Sequence, residues 1–461
     1  MKPDLHEVDV RIIGEAMVSN HAMEVLRELC DGYGSRFAGS RQGRAAADFL
    51  AEKMREVGLA KVHFETFPFL AWERRRRPSL RVVAPRKVSL EAITLPYSPA
   101  TRPAGIEAEL VNVGCGVPED FARVGRRLKG KIAMMTSESP AYYHRWVHRA
   151  EKYARAVKAG AVAFIFMNHY EGLLEPTGAL RFNRRAEIPG LGVSREAGLR
   201  LLRLASDGPV RLRIVTHDRT FRATGRNVVG EIPGSNRPNE MVVVGGHYDG
   251  HDISQAAGDN ASGIAAILEA ARLLAPHARL LRRTVRFVCF DAEEIGLLGG
   301  HAYVRRHAAE MPRVRLMVNV DCVGRGRGKG FNFQGWDEAK ERLGAMAAEM
   351  REDIPFHSKP NPYSDHFPFM VAGVPVCVLA SGRSEPGRGY GHTAADTVDK
   401  VARADLREAA ALLARSIIRF ANDRRWALRH KKPAEVKALL NRYELIDVMK
   451  AEGTLPPALK R

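Results

Sequence analysis

Three short apolar runs, at 241–244, 285–290 and 314–320, interrupt an otherwise mixed pattern of apolar and polar positions. Runs this brief and this rich in Val and Phe predict strands buried on both faces. Between the first two, Ile264, Ile267, Leu268, Ala271 and Leu274 recur at helical spacing, which predicts a helix over 262–275. Strand–helix–strand alternation predicts an α/β fold with a mixed, largely parallel sheet flanked by helices. In such open sheets ligands bind just beyond the carboxyl ends of the strands. His247 follows the first run after Gly-Gly, and the other two lead straight into carboxylates. His247, Glu293, Glu294 and Asp321 therefore fall on one rim.

The rest of the chain reads around this block. Helices are predicted over 14–30 and 45–57, the second ended by Gly58, and strands over 61–67 and 80–95 around the charged turn ERRRRP. Residues 97–220 have another texture. Short strands (IEAELVNVG, GKIAMMT, VAFIFMN, VRLRIVT) alternate with Gly- and Pro-bearing loops and with helices at 152–159 and 195–204. This block reads as a small β-rich module inserted into the main domain, which then comprises 1–96 and 221–424. After Asp321, VGRGRGKG reads as a cationic loop, and its glycines lack the spacing of a dinucleotide fingerprint. A helix over 337–350, a strand over 374–379 and a terminal helix over 404–422 follow. The tail, 425–461, is a basic and partly amphipathic extension.

Composition changes this picture little. With 461 residues and 45% apolar content, the chain supports two domains and a large core. Its net charge of +19 permits an anionic partner. The basic residues are scattered, however, and no nucleic-acid module is present, so no nucleic-acid partner is expected. Cys30, Cys115, Cys289, Cys322 and Cys377 show no CxxC spacing and read as small buried apolar groups in a reducing compartment. The N-terminal stretch lacks a signal-peptide core and no run is long enough to span a membrane, so a cytoplasmic protein is expected. A homo-oligomer is compatible with the sequence.

The rim chemistry is imidazole and carboxylate. Candidate metal ligands are His247, Asp259, Glu294, Asp321 and His392, a mixed N/O set suited to zinc or a similar divalent ion. The set exceeds the needs of one tetrahedral zinc. Were Asp259 to bridge, two ions would each receive a His, a share of Asp259 and one further carboxylate. Glu293 and Glu294 are neighbours whose side chains diverge at a strand end, so one can ligate while the other serves as a base. Asp249, two residues past His247, lies on the same side of an extended segment and can hold the second nitrogen of that imidazole. Buried carboxylates and imidazoles without a compensating cation are costly, which favours a metal centre over a structural cluster.

HYDG, GDNASG, FDAEEIGLLGG, VNVD, SDHFPF and GHTAADT resemble, in the same order, the motifs of the di-zinc exopeptidases. That family includes bacterial aminopeptidases, glutamate carboxypeptidase II and the non-catalytic transferrin receptor. The inserted block, with VNVGCG, LKGKIA, KAGAVAFIFMN and IPGLGVS, resembles a protease-associated domain. The resemblance implies two zinc ions, with cobalt or manganese as alternatives. His247 and Asp321 would hold one ion, Glu294 and His392 the other, and Asp259 would bridge them. It further implies Glu293 as the general base and a cis bond after Asp259. A tyrosine that polarises the substrate carbonyl in some relatives has no direct match here: Tyr390, separated from His392 by Gly391, is favoured over Tyr363. The expected function is a metal-dependent aminopeptidase acting on short peptides. Alternatives are a carboxypeptidase of the same family, with Arg325, Arg327 and Arg383 as contributors, a glutaminyl cyclase-like transferase using one zinc, and a non-catalytic binding protein.

Overall fold

Valine-rich segments have no aqueous partner for their backbone groups in a protein interior, so they pair with one another. A computed structural model describes residues 5–381, 388–423 and 428–460. Its larger sheet runs, edge to edge, Ala60–Glu73, Arg219–Ile232, Arg283–Phe290, Arg237–His247, Val314–Val320, Val376–Ser381, Lys329–Asn332 and Phe356–His357. Arg283–Phe290, Arg237–His247, Val314–Val320 and Val376–Ser381 are parallel to their neighbours in this middle group. Antiparallel pairs flank them. The register sets Val242 beside both Val285 and Leu316, and His247 beside Phe290. The carboxyl ends of these strands consequently open on one rim, as the apolar runs predict.

Ser262–Leu274 is apolar around nearly its whole circumference and is buried accordingly, packed against Arg403–Asn422. Arg41–Glu56 begins where the Ser40 hydroxyl accepts the Gly43 amide, an N-cap that satisfies an otherwise orphaned donor.

A second sheet of eight strands runs Val88–Leu90, Ser79–Ala84, Arg211–Val215, Ile106–Gly114, Ile132–Thr136, Ala163–Met167, Gly190–Val193 and Ile93–Thr94. It has its own core, including Leu110, Ile132, Ile165, Leu191 and Leu212.

Several expected elements differ in detail. The single helix expected over 14–30 is two, Leu5–Val18 and His21–Arg27, with Ser19 and Asn20 at the break. The strand expected over 61–67 extends through Glu73, because Arg219–Ile232 pairs with its whole length. The run 80–95 divides into three short strands around Pro85, and all three join the second sheet. The loop expected after Asp321 ends in a strand, Lys329–Asn332, formed by antiparallel pairing with Val376–Ser381. The basic tail folds into Pro433–Arg442 and Leu445–Glu452, whose Val436, Leu440, Ile446 and Met449 enter the main core. Cys30, Cys289 and Cys377 are buried as expected, whereas Cys115 and Cys322 are only half-buried. Among the described residues, no helix is long and apolar enough to cross a membrane.

Candidate metal centre and catalytic cleft

The rim gathers the sequence-predicted ligands into one cluster. His247, 1% exposed, places its Nε2 3.2 Å from Asp259 Oδ1 and 3.6 Å from Asp321 Oδ1. His392 Nε2 lies 3.3 Å from Asp259 Oδ2 and 3.4 Å from Glu294 Oε2. The two Asp259 oxygens thus face different imidazoles. The loop carrying Asp259 is held from several directions. Asp396 accepts the amides of Gly258 and Asp259 at 2.8 and 3.1 Å. The Asn260 side chain donates to the Val320 carbonyl and accepts from Gly263 and Cys322. The Asp259–Asn260 peptide bond is cis.

Asp249 works in two directions. His247 Nδ1 donates to the Asp249 carbonyl at 3.1 Å, with the carboxylate farther off at 3.5 Å. This contact places a proton on Nδ1 and leaves Nε2 as the nitrogen that faces Asp259 and Asp321. The Asp249 carboxylate itself accepts the amides of Glu293 and Glu294 at 3.0 and 3.3 Å. One residue thereby ties the end of Arg237–His247 to the turn after Arg283–Phe290. Asp321 is oriented by a relay in which Asn319 donates to Ser364 and Ser364 donates to Asp321 Oδ2 at 2.7 Å. Its Oδ1, turned toward His247, is buried with no hydrogen-bond donor.

Charge in this cluster is heavily one-sided. Asp249, Asp259, Glu293, Glu294, Asp321 and Asp365 converge, and both Asp365 oxygens are buried without donors. Burial, reinforced by Glu294, Asp365 and Asp321 against His247, pushes Glu293 well above the usual carboxylate range. Burial likewise raises Asp365. Against the cost of burial, the His247 and His392 imidazoles hold Asp259 well below its ordinary value. Divalent cations suit these donors: they supply the positive charge the cluster lacks and displace protons from such ligands. Three groups, His247–Glu293–Asp321, His251–Glu294–His392 and Asp259–Asp321–Cys322, have ligand atoms close enough to share an ion.

The cluster floors a cleft with two lobes, of about 370 and 740 Å³. Trp146, His148, Arg149, Asp259, Cys322 and His392 line both. Trp146, His148 and Arg149 come from the second sheet's unit, a contribution invisible in the sequence. Arg149 is buried; its Nε and Nη1 donate to the carbonyls of Ala179 and Thr177. Burial lowers its pKa to about 10, which leaves it charged at neutral pH. The C-terminal extension closes the smaller lobe with Met449, Glu452 and Thr454. Glu452 accepts from His148 Nδ1 at 2.9 Å and from the Tyr363 hydroxyl at 3.1 Å.

Tyr390 lines the larger lobe only, its ring between the Arg325 and Lys400 cations at 4.9 and 5.2 Å. Arg325 lines that lobe, Arg327 is exposed, and Arg383 lies outside the described residues. Sequence reasoning missed Arg149, Glu452, Asp396 and His251. Of these, His251 left a signal as the second histidine of HYDGH, and Asp396 as the aspartate of GHTAADT.

The pattern of peptidase family M28 matches residues 227–417, and that of the PA domain matches 106–201. The chain belongs to peptidase family M28, a hydrolase of metallo-exopeptidase type. Among individual relatives, it is 28% identical to aminopeptidase YwaD of Bacillus subtilis over 91% of this chain and 87% of that protein. It is 31% identical to carboxypeptidase Q of Rattus norvegicus over 70% of this chain and 68% of that protein. The solved zinc aminopeptidase BSAP of Bacillus subtilis superposes with a TM-score of 0.69 at 25% identity, covering 89% of this chain and 97% of that one. A peptidase M28 precursor of Shewanella amazonensis reaches 0.81 at 25% identity, covering 93% and 99%.

Proposed function

We propose that the protein is a two-zinc aminopeptidase that removes N-terminal residues from short peptides. The observation that carries this reading is Asp259, one oxygen facing His247 and the other His392. In this reading His247 and Asp321 would hold one ion, Glu294 and His392 would hold the other, and Asp259 would serve both. Such ions supply Lewis acidity and lower the pKa of the attacking water. Glu293, free of the ligand pairs and pinned through its amide by Asp249, takes the proton from that water and passes it to the leaving amine. Asp249 positions His247. The charged Arg149 offers donors for the scissile carbonyl, in preference to Tyr390, which lines the larger lobe only. Trp146, Phe182, Tyr363, Phe367 and Met449 in the smaller lobe suit an apolar side chain.

Arg149 also motivates a second reading. A buried guanidinium in the cleft is suited to a carboxylate, as a carboxypeptidase would require. The carboxypeptidase Q relatives give this reading weight. The inserted unit, we further propose, spans Ser79–Val215, because that stretch supplies every strand of the second sheet. A reducing compartment is supported by the five cysteines, which form no disulfide.

The decisive assay is a panel of aminoacyl anilides and short peptides, each with free and acetylated amino termini, with and without chelator. We expect chelator-sensitive cleavage of the free-amine substrates only. Cleavage of acetylated peptides from the carboxyl end, abolished in Arg149→Met, would select the carboxypeptidase reading instead. Inertness across the panel with metal supplied would contradict both.

A further inference from the structure

His251 lies outside the motifs carried by the family resemblance, yet it is 1% exposed and lies against Glu294 and His392. Its Nε2 is 2.8 Å from Glu294 Oε2, and its ring centroid is 4.5 Å from that of His392. Despite this closeness, neither ring nitrogen makes a hydrogen bond. An imidazole N–H bonds best in the plane of its ring, and the close approach to Glu294 lacks that alignment. A buried imidazole with both nitrogens unsatisfied is costly unless something else meets it.

The chain builds this position rather than tolerating it. Gly250 lets the loop fold back on itself: a Cβ there would lie 2.1 Å from the Ala256 Cβ. Phe37 stacks on the far side of the His251 ring, with centroids 6.3 Å apart and planes at 30°. The ligand atoms of His251, Glu294 and His392 all lie within 4.8 Å of one another.

We infer that His251 is a further metal ligand, donating Nε2 to the ion held by Glu294 and His392. This rests on the two-metal reading above. The two halves of the centre then differ. One would draw on two imidazoles, Glu294 and a share of Asp259, four protein donors. The other has one imidazole, Asp321 and a share of Asp259, and keeps a position for water or a substrate amine. The His251 half holds its ion more tightly, and the His247 half exchanges first.

The test uses the full chain reconstituted with cobalt(II) alone, observed by proton NMR and metal titration. Each imidazole bound to cobalt through one nitrogen places a proton on the other, giving one hyperfine-shifted, solvent-exchangeable resonance. The wild-type protein is expected to bind two cobalt ions and to show three such resonances. His251→Phe keeps the aromatic stack and is expected to show two, with affinity for one ion lowered at least 10-fold. His251→Gln can still donate a hydrogen bond to Glu294 but is expected to behave as His251→Phe. Two bound ions with only two resonances in the wild-type protein would overturn the inference and leave the two-metal reading standing. So would a His251→Gln variant with wild-type affinity. Failure of the wild-type protein to bind cobalt would overturn both.

Discussion

At the scale of single residues, the site depends on how Asp249 divides its work between carbonyl and carboxylate. The carbonyl sets the His247 tautomer, and the carboxylate pins the Glu293–Glu294 turn. Glu293 is thereby held beside His247 and Asp321, and in the proposed reading it stays out of the ligand set. In the proposed reading, replacing it by Gln removes the proton acceptor. Glu293→Gln is expected to lower kcat by about 10²–10⁴-fold, with metal content and KM nearly unchanged; steady-state kinetics and metal analysis on one preparation check this. The convergence of His247, Asp259, Glu294, Asp321 and His392 was legible from the sequence because each follows an apolar run or a Gly-bearing turn. Arg149 and Glu452 were not, since nothing local distinguishes a cleft-lining Arg or Glu from a solvated one. Only tertiary packing brings them to the cleft.

At the scale of elements, helix contacts hold the frame on which the rim depends. Glu269, in Ser262–Leu274, accepts from Arg272 Nε at 2.9 Å and from His21 Nδ1 at 3.0 Å, joining its helix to His21–Arg27. Against the cost of burial, these hydrogen bonds hold its pKa down to about 2. A depressed carboxylate stabilises the fold above its unfolded pKa of about 4.5 and loses that contribution as the pH falls toward 2. Its share is on the order of 2 kcal/mol once screening of the partly exposed Arg272 is allowed for. Glu269→Gln is expected to flatten the acid limb of the stability profile below pH about 4.5, measured by denaturant titration across pH. The parallel strands were legible because runs of Val and Phe buried on both faces have few other readings. The strands at 79–94 and Lys329–Asn332 were not, because short edge segments owe their state to a partner strand rather than to their own pattern.

At the scale of the whole molecule, three regions distant in sequence meet over one cluster of carboxylates. The rim of the larger sheet supplies the imidazoles and carboxylates, the inserted unit supplies Trp146, His148 and Arg149, and the C-terminal helices supply Met449 and Glu452. The fold class and the presence of an insert were readable from texture and motif order. The joint construction of the cleft was not, because it depends on how separately patterned units dock. The cluster's excess negative charge is the physical reason to place cations there, and their positions can be measured. Crystals of the metal-loaded protein, with anomalous diffraction collected on both sides of the zinc absorption edge, give those positions directly. We expect two peaks about 3.5–4 Å apart, one beside His247 and Asp321, the other beside Glu294 and His392, with Asp259 between them. A single peak, or peaks away from Asp259 at full metal loading, would contradict the account.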